Sequence, residues 1–530
     1  MTQISMGHSS TRPYCHYKSK GCPSLDSERT VVSGDDIIQS VADALQYISY
    51  YHPPDYIRYL AAAYEREESA AAKNAMAQIL VNSRMAAFGH RPICQDTGLV
   101  VAFVKVGMSL HIDSGRSLTE LINEGVRKAY LDPDNPLRAS VVLDPLSSRR
   151  NTQDNTPAVV HLDLVPGNEI TFTIAAKGGG SENKARFTTL NPSASVSDWV
   201  VDTVSTLGSG WCPPGLIAVG VGGSAEKAML MAKEVLNDPI DMFDLLARGT
   251  ATPEEELRVE LYHRINALGI GAQGLGGLTT VVDVKVATHP THAASKPVAL
   301  IPQCAANRHV KFTLDGSGPA IFVPPDLRDW PDIDYGSSLS ADARRVNLDT
   351  LTKEETATWR AGETLFLSGK MLTGRDAAHK RMVDLIDAGQ PLPVDLRGRT
   401  IYYVGPVRAV RDEIVGPAGP TTSTRMDMFT EKVLDATGLY VMVGKAERGP
   451  IAIDAIVKHR TPYLIAVGGA AYLISKSIKS AQVVAFEDLG MEAVYEFEVE
   501  DMPVTMAVDV TGESIHKSGP ARWRRAIGTT

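Results

Sequence analysis

Residues 319–343 read PAIFVPPDLRDWPDIDYGSSLSADA, and they split the chain in two. The stretch is dense in Pro, Asp and Ser and reads as a linker crossing between domains. On its N-terminal side helices and strands mix. Ile37, Ile38, Val41, Leu45 and Ile48 line one face of a helix that starts near Gly34, with Asp35 or Asp36 as its cap. Pro53-Pro54 breaks that helix, and a second helical run covers Ala61 to Arg84. LVVAFVKVG (Leu99–Gly107), EITFTIAA (Glu169–Ala176) and LIAVGVGG (Leu216–Gly223) read as strands, the last followed by a helix from Ser224. On the C-terminal side TIYYVGPV (Thr400–Val407), YLIAVGG (Tyr463–Gly469) and VVAF (Val483–Phe486) are strand-like, with helices fitting between them. The expected fold is mixed α/β. It divides into a tail (1–33), a larger α+β domain (34–316), the linker (317–345) and a smaller α/β domain (346–530).

Composition narrows the function class. The chain has 530 residues, 44% apolar and 22% charged, as expected of a soluble multidomain protein. A net charge of −9 argues against non-specific nucleic-acid binding, so an acidic substrate must meet a local cluster of Arg and Lys. No apolar run spans a bilayer, and the N-terminal stretch has no signal-peptide core. Five cysteines in so long a chain are not a disulfide scaffold, which points to a reducing cytoplasm. Cys15 and Cys22, beside His16, have metal-ligand spacing but read more simply as idle thiols of the tail.

The other three cysteines stand alone in turns rich in Gly or Pro: Cys94 in RPICQDTG, Cys212 in GSGWCPPG and Cys304 in LIPQCAANRH. Such turns let thiolates reach a metal while backbone N–H groups face the sulfurs. Three thiolates hold three corners of a [4Fe-4S] cubane and leave the fourth iron open as a Lewis acid. Taken singly, each cysteine is equally readable as a small buried apolar residue, and a zinc site is a further option without its usual short spacing.

Other motifs are ambiguous when read alone. Arg375 (TGRDAAHKR), Arg425 (GPTTSTRMD) and Lys445 (VGKAERG) sit near strand ends or turns and suit a dicarboxylate, or are simply solvated charges. GVGGSA (Gly220–Ala225) matches G-x-G-x-x-A, with Asp238 and Asp241 near ribose-contact distance in sequence, but no clean βαβ unit surrounds it. Gly178-Gly179-Gly180 suits an anion nest or a hairpin turn. His292 is a lone histidine, and Asp96 beside Cys94 is also a natural Asx-turn residue.

Together, ICQDTG, KGGGSENK, the CPP at Cys212, THPTHAASKPVALIPQCAANRH, LTGRDAAHKR, GPTTSTRMD and FEDLGMEAVYEFEVEDMP, in this order, resemble class I fumarate hydratase, the iron–sulfur fumarase, in its single-chain form. The resemblance covers roughly Ile48 to Val510. It implies a [4Fe-4S] cluster on Cys94, Cys212 and Cys304, and reversible hydration of fumarate to (S)-malate as in the tricarboxylic acid cycle. It implies substrate-binding residues at Gln95, Asp96, Arg138, Gly180, Asn183, Arg375, Thr421, Arg425 and Lys445, with Thr421 as the base and Asp96, paired with His292, as the acid. It also implies a homodimer with a swivelling C-terminal domain. Ser423-Thr424 stands where the commoner TTAGRMD form of this motif has Ala-Gly, which keeps related dehydratases of tartrate or mesaconate as alternatives. An NAD-dependent oxidoreductase using GVGGSA is a distant one, and an iron-sensing regulator would not need the dicarboxylate anchors.

Overall fold

The computed structural model describes residues 30–334 and 343–526. Cys15 and Cys22, and linker residues 335–342, lie outside the described residues. The expected tail ends sooner than its composition suggests: β1 (Val31–Ser33) pairs in parallel with β3 (His111–Asp113), as the β-branched Val31-Val32 favours. The first helix spans Gly34–Tyr50 and is capped by Ser33, whose hydroxyl accepts from Asp36 N at 3.0 Å. Asp35 and Asp36 instead occupy the first turn, where their charge complements the helix dipole. The run expected over Ala61–Arg84 is two helices, Pro54–Arg66 and Ala70–Gly89. Between them the buried Glu67 carboxylate accepts from the backbone of Ser69 and Leu278, a tertiary contact that overrides local helix propensity.

The N-terminal part builds two four-stranded sheets. In the first, β10 (His309–Leu314), β5 (Ile170–Lys177), β2 (Leu99–Gly107) and β4 (Val159–Val165) lie in that order. Its even-numbered residues, among them Val100, Phe172 and Ile174, pack with Ile37, Val41 and Leu45 of the first helix. The second sheet has the order β6 (Arg186–Leu190), β9 (Lys296–Gln303), β7 (Gly215–Gly222), β8 (Val281–His289). The described part of the linker lies against this half. Trp330 is buried and donates its indole N–H to Ser83 at 2.8 Å, and Ala320 N donates to Ser40.

Seven strands form the C-terminal sheet: β11 (Arg344–Asn347), β12 (Thr364–Thr373), β13 (Thr400–Tyr402), β14 (Val441–Gly444), β15 (Tyr463–Ile465), β17 (Val494–Val508) and β16 (Ile478–Ala485), in that order. β17 also pairs with β12, so β12, β13, β14, β15 and β17 form a closed ring. The apolar runs expected as strands at 400–407 and 463–469 pair for only three residues each. Beyond Tyr402 and Ile465 the chain stays buried but turns toward the N-terminal half, so burial there reports a packed loop and not a ladder.

GVGGSA does follow a strand and precede a helix, Ala225–Val235. That helix runs back along the sheet and leaves Asp238 and Asp241 at the end opposite the glycine turn. Asp241 is paired there with Arg258 and Lys285. A ribose-binding acid must lie at the same end as the glycines, so the dinucleotide reading fails.

Candidate functional site

One end of each N-terminal sheet faces the same space. There β2 and β10 begin, β5 ends in Gly178-Gly179-Gly180, β7 begins after the Cys212 turn, and β9 ends at Cys304. Facing them are the carboxyl ends of the parallel strands β12, β13, β14 and β15. In α/β sheets this is the edge where ligands bind. Arg375 follows β12, Thr421 lies on the loop after β13, and Lys445 follows β14.

The three cysteine turns converge. Cys212 adopts left-handed φ (58°), uncommon for a residue with a Cβ, and its carbonyl accepts from Ala305 N, directly after Cys304. Cys94 and Cys304 border one small apolar cluster with Tyr472. Burial pushes both Cys94 and Cys212 up, Cys212 to about 11, while Lys445 opposes the shift in each. Lys445 Nζ lies 3.2 Å from Cys212 Sγ. Burial pulls this ammonium down, but Cys212, Cys94 and Asp96 together outweigh it and hold its pKa above the usual lysine value. Gly468 closes the other side: a Cβ there would lie 2.6 Å from Cys212 Sγ. Among the described residues the one trio of ligating side chains gathered within 4.8 Å is Glu431, Asp435 and His459 on the far surface. At least one pair of the three thiols is therefore more than 4.8 Å apart, beyond the roughly 3.8 Å that a single tetrahedral zinc imposes on its sulfurs.

Asp96 sits beside Cys94 with Oδ2 accepting from Gly179 N at 2.8 Å and Oδ1 from Gly98 N at 3.2 Å. The glycine run thus serves as a one-turn helix start (Gly179–Glu182) that holds a carboxylate of the chain itself. Burial disfavours the charge of Asp96, but Arg138, Arg308, Lys445 and the Gly179 N–H outweigh it and keep the carboxyl below its usual range. Gln95 bridges the two halves: its Nε2 donates to Pro420 O at 3.0 Å, and its Oε1 accepts from the Cys94 thiol. Gly180 lies where a Cβ would come within 2.8 Å of Gly210 O and 3.6 Å of Lys445 Nζ. Asn183 caps the same turn and faces solvent.

The second half contributes cations. Arg375 is buried, with Glu492 at 3.2 Å, and its Nε has no partner. Burial first, then Arg138 and Arg425, pull its pKa down to about 10, while Glu492 and Asp376 oppose the shift. Arg425 is exposed and pairs with Asp376. Arg138 reaches across to Gly405 O at 3.1 Å. Thr421 is buried, its N–H donating to Tyr403 O and its carbonyl accepting from Lys445 N.

His292 does not join this group. It is exposed at the opposite end of β7 and β9, with Nδ1 facing Ala294 N, so the expected Asp96–His292 pair is not formed within the chain. The shared geometry explains why: the strand that carries Cys304 at its end has His292 just before its start, about 25 Å away at strand rise.

Several contributors were not evident from sequence. Arg308 is buried four residues after Cys304 and donates to Asp96 O. Arg91 is fully buried and holds Glu413, Asn135 Oδ1 and Arg408 O, fixing the turn that carries Cys94. Gln273 pins the Cys212 turn to the second half, donating to Pro213 O and Gly468 O and accepting from Gly468 N. The Cys304 turn is set by a relay from Trp330 to Ser83 to His52 Nδ1, with His52 Nε2 donating to Ala305 O at 3.0 Å. Burial lowers His52 to about 3, so it is neutral in the fold. An unfolded histidine titrates near 6.5, so the unfolded chain binds the extra proton between those values. Stability is then full above about pH 6.5 and falls by about 1.4 kcal/mol per pH unit below it. Denaturant midpoints measured from pH 7 to 4 are expected to show this slope reduced by one proton in His52→Gln.

Residues 38–313 match the family described as "Fumarate hydratase (Fumerase)", and residues 316–519 match "Fumarase C-terminus". The chain is 33% identical over 472 residues to "Fumarate hydratase class I, anaerobic" of Escherichia coli K12, covering 85% of this chain and 84% of that one. It is 33% identical to "Fumarate hydratase 2" of Leishmania major over 83% of this chain and 78% of that one. It is also 34% identical to a "Putative L(+)-tartrate dehydratase subunit alpha" of Methanocaldococcus jannaschii, over 51% of this chain and 94% of that one. Fold and site define a hydro-lyase of mixed α/β architecture. The chain belongs to the class I fumarate hydratase family. No described helix is long and apolar enough to cross a membrane.

Proposed function

We propose that this protein interconverts fumarate and (S)-malate, with Cys94, Cys212 and Cys304 as ligands of a [4Fe-4S] cluster. The observation that carries the reading is the meeting of three separate thiol turns with Arg375, Arg425, Lys445 and Asp96 in one space. Thiols that are not all within 4.8 Å of one another, the lysine on Cys212 and the side-chain-free Gly468 suit a polynuclear group. When bound, the cluster supplies a Lewis-acid iron for the substrate hydroxyl.

The chain's own residues do the rest. Arg375, Arg425 and Arg138 hold the two carboxylates, and a dianion offers the buried Arg375 guanidinium, whose Nε lacks a partner, further acceptors. Lys445 spreads the charge that builds on the substrate as the C3 proton leaves. Thr421 takes that proton in the malate-to-fumarate direction; its hydroxyl is a weak base and depends on the neighbouring Lys445 to stabilise the alkoxide. Proton and hydroxide together leave as water. Asp96 serves the hydroxyl side. Being ionised, it starts the hydration direction as acceptor of a proton from water and acts as the acid only in reverse. Gln95, Gly180 and Asn183 shape the rim. His292 has no step within one chain.

Arg425→Ala is expected to lower kcat/KM for malate by about 100-fold while iron content stays at the wild-type level. Unchanged kinetics would take Arg425 out of the clamp. The function itself is tested anaerobically by following fumarate absorbance alongside iron content, with malate, tartrate and mesaconate offered in parallel. Malate and fumarate are expected to give the highest kcat/KM. A second reading, tartrate, rests on the similarity to the tartrate dehydratase subunit and on Ser423-Thr424, and a higher kcat/KM there would establish it. The same proposal carries a homodimer and cytoplasmic residence, read by size-exclusion chromatography and cell fractionation.

A further inference from the structure

Three cations, Arg138, Arg308 and Lys445, surround the single carboxylate of Asp96. Arg138 and Lys445 each reach across between the halves, Arg138 to Gly405 and Lys445 to Cys212. Arg308 is different. It is buried, it forms no ion pair among the described residues, and its Nε is buried without a hydrogen-bond partner. One Nη donates to the backbone carbonyl of Asp96, and the other lies 3.5 Å from the Cβ position of Gly178. The charge of Arg308 acts on Cys94, and its turn begins at Cys304.

A buried guanidinium with spare donors and no carboxylate of its own is costly for a fold. It is retained at no such cost if negative charge arrives beside it. Three thiolates outweigh the positive charge of a [4Fe-4S]2+ core, and the negative charge left over would supply it. We infer that Arg308 is the positioning and charge-balancing residue of the thiol centre, offsetting the thiolates on the side away from Lys445 while fixing the Asp96 backbone.

This inference rests on the reading that the three cysteines bind a cluster, and it makes a prediction of opposite sign for two states of the same chain. In Arg308→Met, the metal-free protein is expected to melt at the wild-type temperature or above it, because an uncompensated buried charge has gone. The loaded protein is expected to lose iron to EDTA about tenfold faster than wild type. Arg308→Lys, which keeps the charge but not the fork, is expected to recover most of the iron retention. Equal iron loss in Arg308→Met and wild type would overturn the inference. So would a metal-free Arg308→Met that melts well below wild type, because that marks a purely structural side chain. A wild-type chain that never holds iron would instead defeat the cluster reading itself, so the two failures are distinguishable.

Discussion

Cys212→Ser is expected to give a folded protein that lacks both the brown absorbance of an iron–sulfur centre and hydratase turnover. The substitution is nearly isosteric, and the turn around it does not depend on sulfur. Its backbone is held by Ser209 O, Ala305 N and the Gln273 amide on Pro213. The variant should therefore keep its far-ultraviolet circular dichroism. What changes is the donor. A serine hydroxyl ionises far above a thiol and is a harder ligand, so it replaces a thiolate poorly. Two thiols are then left for a centre that needs three. Activity is expected to fall by about 10⁴-fold or more, to background. A colourless Cys212→Ser preparation with wild-type turnover would remove the cluster from the mechanism.

Lys445→Met is expected to separate chemistry from assembly. Methionine matches the length of the aliphatic stem and keeps the packing, while the ammonium 3.2 Å from Cys212 Sγ is lost. The raised pKa of Lys445 shows that it remains a cation across the physiological range. Its neighbours Gly180 and Thr421 belong to the proposed substrate site. Removing one such preorganised donor typically costs about 10²–10³-fold in kcat, roughly 3–4 kcal/mol. The upper end applies here because the site is closed on both sides by protein. Steady-state kinetics on malate should show the loss mainly in kcat, with at least half the wild-type iron per chain. A variant with normal kcat would make Lys445 a partner of the thiol only.

The fate of particular residues shows what local sequence carries. Cys94, Cys212 and Cys304 were legible because each is isolated in a turn whose Gly and Pro neighbours have few other uses. β2 matched its expected bounds because Leu99–Gly107 carries a continuous apolar run between turn residues. TIYYVGPV misled because Tyr403 and Val404 are as apolar and as buried as a strand, yet pair with Thr421 and Pro420 across a loop. Arg308 looked like any arginine beside a histidine, since its burial without a direct ion pair exists only after distant segments pack. The Lys445–Cys212 contact joins residues 233 positions apart, and nothing in either motif names the other. His292 failed in the opposite way: its motif was distinctive, but strand geometry carries it to the wrong end of the sheet within one chain.

The joints between the halves have a further consequence. Gln273 with Gly468, Gln95 with Pro420 and Asn82 with Gly469 are all amide-to-backbone bonds. None uses a sulfur. The vessel is thus assembled independently of its contents. If the proposed [4Fe-4S] centre is lost, the walls are expected to stand, so reactivation would call for restocking iron and sulfide and not for a new round of folding.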